Sequence, residues 1–139
     1  MRDEMTSETK MDGGTIAQRI DAMEEAYEFM LAYAARGVLA EDWVHGEGIR
    51  FFLHRMEEAL DDLAGTAAVE ARQLPAGLAE ACGSFVDVLA VDSAKALTAV
   101  RLVLALPSIG SQMIDNLNAS IHLRAVLADL FLLDEILKA

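Results

Sequence analysis

Cysteine occurs once in these 139 residues, proline twice and histidine three times, and each shortage removes a class of chemistry. A lone Cys82 excludes an intramolecular disulfide framework and suits a reducing compartment. Structural zinc needs four Cys or His ligands, and His45, His54, His122 and Cys82 are scattered over separate segments. Dimetal helical bundles need Glu-x-x-His pairs, because their metals take carboxylate and imidazole ligands converging in a core. The chain contains no such pair, so no metal and no cofactor are expected. Nucleophilic catalysis lacks its parts too. There is no Gly-x-Ser-x-Gly, Cys82 sits on an apolar helical face without a His at helical spacing, and Gly46-Glu47-Gly48 is too short to cradle a phosphate.

Positive charge is equally scarce. Eleven Lys and Arg stand against 23 Asp and Glu, a net charge of −12. Affinity for nucleic acid or anionic lipid comes from clustered Lys and Arg, so neither is an expected partner. Although 54% of residues are hydrophobic and the mean hydropathy is +0.29, long apolar runs are absent. The longest stretch without Asp, Glu, Lys or Arg, Leu102 to Ile114, has 13 residues and contains Pro107 and Gly110. A membrane span needs about 20 apolar residues, so the apolar surplus must be buried in protein. The N-terminus MRDEMTSETKMDGG carries acids and no apolar h-region, unlike a signal or transit peptide, and a cytoplasmic location is expected.

What is present is helical periodicity. Residues 1–14 read as a flexible tail, and residues 15–139 as one all-α domain, a four-helix up-down bundle with a long C-terminal helical hairpin. Thr15-Ile16-Ala17-Gln18 is a capping box, in which the Thr hydroxyl and the Gln side chain satisfy free backbone donors reciprocally. A first helix starts there, on the stripe Ile16, Ile20, Met23, Tyr27, Met30, Leu31 and Ala34, and Gly37 stops it as a glycine just past the helix end. A second helix is expected over Ile49 to Leu63, on Ile49, Phe52, Leu53, Met56, Leu60 and Leu63, with Ala64 to Leu74 its tail or a linker. Pro75 precedes a third helix over Ala76 to Leu106, and Leu106-Pro107-Ser108-Ile109-Gly110 hinges it to a fourth over Ser111 to Lys138.

The fourth helix carries two apolar stripes. At about 100° per residue, Leu123, Val126, Leu130 and Leu137 fall opposite Ile114, Leu117, Ile121, Ala125, Ala128 and Leu132. Leaving Leu117, Ile121 and Leu132 in water forgoes about 1.5 to 3 kcal/mol each. A homodimer seam over these three is therefore expected, cyclic dimers being the commonest oligomers; coverage by the first or second helix is the alternative.

Polar residues near the apolar faces are the remaining candidates. Asp92 and Ser93 lie at the edge of the third helix's apolar sector, and a buried carboxylate there needs a partner, for which Lys95, Arg101 and Arg124 are in range. Asp115, Asn118, His122 and Asp129 share one side of the fourth helix, but seven residues is about 10.5 Å, too far for either Asp to orient His122. Phe51 projects among His54, Arg55 and Glu58, Trp43 lies just before it, and Phe29 and Tyr33 flank the first helix's stripe. Aromatics with Arg are enriched at interface centres, so Phe51, Trp43, Arg55, Tyr33 and Phe29 form a candidate partner surface.

Together these features describe a noncatalytic accessory or regulatory protein, a homodimeric bundle acting through protein-protein interaction. The alternative is a small-molecule or cofactor-binding bundle with Tyr27, Tyr33, Asp92, Ser93 and His122 as polar handles. An enzyme using His122 or Asp92 as base has the least support.

Overall fold

The structure, a computed structural model, describes residues 14–41 and 48–138. These form six helices and no strand: α1 (Ile16–Ala35), α2 (Ile49–Leu60), α3 (Leu63–Ala71), α4 (Ala76–Leu104), α5 (Ser111–Ala119) and α6 (Ile121–Leu137). No helix among the described residues is long and apolar enough to cross a membrane. Most of the expected tail, and all of Trp43, lie outside the described residues.

Local chemistry sets the helix ends. The capping box at Thr15 closes, with Gln18 N–H donating to Thr15 Oγ1 at 3.2 Å and Thr15 N–H to Gln18 Oε1 at 3.0 Å. From α3, Glu70 adds a carboxylate at this positive end of α1, accepting from Ile16 N–H at 2.9 Å. Gly37 takes φ +70°, the left-handed conformation that suits glycine past a helix end.

Two expected helices are broken where neither Gly nor Pro interrupts them. The second ends at Leu60 instead of Leu63: Asp61 is extended (ψ 124°), Asp62 is left-handed (φ 54°), and α3 begins at Leu63. The stretch read as tail or linker thus contains a helix of its own. Asp is among the few residues that tolerate this left-handed turn. The fourth breaks at Ser120, whose backbone is extended (φ −61°, ψ 134°) and whose Oγ accepts from His122 N–H to start α6. The third ends at Leu104, two residues early.

The break at Ser120 accounts for part of the two-stripe pattern. Before it, Ile114 and Leu117 are buried; after it, Leu123, Val126, Leu127, Leu130 and Leu133 are. An extended residue resets the helical phase, so Ile114 and Leu117, which oppose Leu123 and Leu130 on an unbroken helix, turn inward with them, while Ile121 and Leu132 stay outside. On α4 the buried residues Cys82, Val86, Leu89, Ser93, Ala96, Val100 and Val103 alternate steps of four and three, a narrow seam of the coiled-coil kind. On α1 the buried face is turned from the expected one: Arg19, Ala26 and Tyr33 are inside and Leu31 is exposed.

Packing follows these faces. α1 lies chiefly against α2 and α5, and α4 against α6, α3 and α2. Buried residues of all six helices join one hydrophobic core. The chain hydrogen-bonds itself at the top of α1: Ser111 Oγ donates to Tyr33 O and accepts from Val38 N–H, and Ser111 N–H donates to Val38 O. A Cβ on Gly110 would stand 2.8 Å from Leu39 O, so this approach requires glycine.

Candidate functional site

Three features stand out beyond the core, and the first is an aromatic row on α1 and α2. Tyr33, Phe29, Phe52 and Phe51 follow one another with centroid separations of 6.2, 4.2 and 5.0 Å, the last edge-to-face at 86°. Guanidinium groups cap the row, Arg36 at 5.6 Å from the Tyr33 ring and Arg55 at 5.9 Å from that of Phe51. This geometry changes the expected partner surface. Tyr33 is only 4% exposed and its hydroxyl donates to Ile109 O; burial first, then the Glu41 charge, hold its pKa above the ordinary value. Phe29 is half-buried against the core. Arg55 is held by Glu25 at 3.0 Å. Phe51, 39% exposed, remains as the accessible end of a row whose other members glue α1 to α2.

The second feature is a pair of carboxyls. Asp92 on α4 finds none of its expected cations: Arg101 is taken by Glu57 at 2.9 Å, and the acid Asp129 of α6 lies within hydrogen-bonding reach of Asp92. Asp129 Oδ2 is buried and has no hydrogen-bond partner. Its pKa is pushed up to about 7, first by burial, then by the hydrogen bond and charge of Asp92. Ser93 is buried and donates to Ala90 O at 3.3 Å within its own helix. His122 is exposed at the start of α6, where its N–H serves the Ser120 cap. Asp115 is exposed, whereas Asn118 is buried and donates to Met30 O. The break at Ser120 therefore disperses the polar side that the sequence places on one helix. Tyr27 is half-buried against the core. Among the described residues no three His, Cys, Asp or Glu side chains are grouped to hold a metal ion.

The third feature is the outer face of α6. Leu117, expected at a dimer seam with Ile121 and Leu132, is buried within the chain, so that seam loses one member. Ile121 and Leu132 stand in solvent, 73% and 56% exposed, with Phe131 exposed beside them.

Two arginines unmarked by any sequence motif organise the frame behind these features. Arg19 is 1% exposed; its Nε donates to Gly14 O and its Nη1 to Ala59 O, both at 3.1 Å, and Nη1 also to Asp61 O. Arg50 grips Glu41 in a two-pronged ion pair, both contacts 2.9 Å, and donates to Leu104 O and Leu106 O at the end of α4. Each guanidinium thus supplies donors to the free carbonyls of a helix end.

The chain matches no protein-family model, and no curated protein or solved structure matches it.

Proposed function

We propose that this chain is a noncatalytic accessory or regulatory protein working through protein-protein contact, folded as a four-helix up-down bundle and paired with a second copy of itself. In this reading α1, α2 with α3, α4, and α5 with α6 are the four rods. The pairings Glu25 with Arg55 and Arg19 with Asp61 run α1 against α2, and Glu57 with Arg101 and Arg50 with Leu104 run α2 against α4. A cytoplasmic setting belongs to the same proposal, in keeping with the free thiol of Cys82.

The outer face of α6 carries the reading. Ile121, Ala125, Ala128 and Leu132 recur at the four-three-four spacing of a helix-pairing seam, and the alanines at its centre allow two helices to approach closely. Leaving Ile121 and Leu132 uncovered forgoes about 1.5 to 3 kcal/mol each. Light scattering over a micromolar dilution series tests the proposal. A mass of twice the 15.0 kDa chain is the expected result, and a folded monomer throughout contradicts it.

A further inference from the structure

The carboxyl pair between α4 and α6 does work that neither the core nor the pairing face requires. Stepping about 100° per residue, Asp92 and Asp129 each lie roughly a right angle from the centre of their own helix's buried face, at the margin where α4 and α6 meet. An aspartate at such a margin ordinarily turns to water or to a cation. Here Asp129 Oδ2 is shut off from solvent without a hydrogen-bond partner, and the ionisable group beside it is another acid. Two carboxylates at hydrogen-bonding distance cannot both be ionised cheaply, whereas one carboxylic acid donating its O–H to one carboxylate is a stable pair.

We propose that Asp92 and Asp129 hold one proton between them, and that losing this proton to solvent loosens α6 from α4, making attachment of the C-terminal helix sensitive to pH near neutrality. The other charged groups around α6 do not substitute for the proton. Lys95, one turn beyond Asp92, is exposed; Arg124 and His122 are exposed on α6, and Asp115 is exposed on α5. From α1, Glu24 acts on Lys138 at the far end of α6, where Lys138 pairs with Asp134 and Glu135. Among the described residues, Asp92 is the charged group that acts on Asp129. The direction follows from linkage. Asp129 keeps its proton up to about pH 7 in the folded chain and releases it near the ordinary aspartate value when unfolded, so the folded state binds more protons in between. Stability from this pair is complete below the unfolded value, falls as pH rises toward 7, and is flat above.

Equilibrium urea unfolding from about pH 5 to about pH 8.5, on the full chain and on Asp129→Asn and Asp92→Asn, tests this. The parent's unfolding constant should rise at least about tenfold across the window; Asp129→Asn should lose most of that rise because an amide does not titrate, and Asp92→Asn should lose part of it, since burial of Asp129 remains. An ordinary imidazole also titrates there, so the difference between parent and variant carries the test. A second readout needs no variant: NMR titration of the Asp129 carboxyl should give a midpoint near 7. Equal pH slopes in parent and both variants, or an Asp129 midpoint near that of an ordinary aspartate, overturn the proposal.

Discussion

Replacing Arg19 by Met removes a buried guanidinium while keeping an unbranched apolar stem. Ala59 O and Asp61 O then lose their Arg19 donors at the end of α2, beside the turn at Asp61 and Asp62 that sends the chain into α3. An unsatisfied buried acceptor costs about 1 to 3 kcal/mol. Relief of the guanidinium's own desolvation offsets part of this loss, leaving a net of about 3 kcal/mol. Against a total stability of about 5 to 15 kcal/mol, that is a large fraction. With a urea m value of about 2 kcal/mol/M, the midpoint should fall by about 1.5 M, read by far-ultraviolet circular dichroism. Arg19→Lys should fall about half as far, since a lysine keeps the charge but donates from a single nitrogen. A midpoint for Arg19→Met within about 0.25 M of the parent would refute the reasoning, for it would mean that these hydrogen bonds merely replace equally good ones to water.

Two further outcomes rest on the aromatic row. Tyr33→Phe keeps the ring and deletes only the donor to Ile109 O, so thermal or urea unfolding should register a loss of about 1 to 2 kcal/mol; no loss would mean that the buried hydroxyl contributes nothing. Phe51→Ser should cost about 1 kcal/mol, more than an ordinary surface change because the ring packs edge-on against Phe52. Phe52→Ala, which empties the space between Phe29 and Phe51, should cost about 3 kcal/mol, and equal losses at the two positions would contradict the row's geometry.

The helix starts at Ile16, Ile49 and Ala76 were legible because each has a chemical mark: the capping box at Thr15, the chain following Gly48, and Pro75. The two internal breaks were not. Asp61-Asp62 and Ser120 interrupt helices without Gly or Pro: Asp62 takes a left-handed turn that Asp tolerates, and the Ser120 hydroxyl accepts from His122 N–H. At Ser120 the available signal was the change of phase between Leu117 and Leu123. An unbroken helix turns that change into two opposed stripes; the kinked one buries Ile114 and Leu117 with Leu123 and Leu130 and leaves Ile121 and Leu132 outside. Arg19 was hidden for a different reason. A charged residue type reads as solvent-facing, and only the tertiary arrangement reveals that α1 delivers it to the carbonyls ending α2. Likewise, Asp92 was legible as a residue in need of a partner, but pairing an acid with an acid is a solution that charge matching along the sequence does not suggest.

The central claim, that α6 offers its outer face to a second copy, is tested most directly by the mass of an Ile121→Asp, Leu132→Asp double variant beside that of the parent. Both side chains stand in solvent within one chain, so the variant should keep the parent's helical circular dichroism. Light scattering should then give twice the 15.0 kDa chain mass for the parent and a single chain mass for the variant, because a paired seam would bury the new carboxylates. A dimeric variant, or a parent that is already monomeric, would contradict the account.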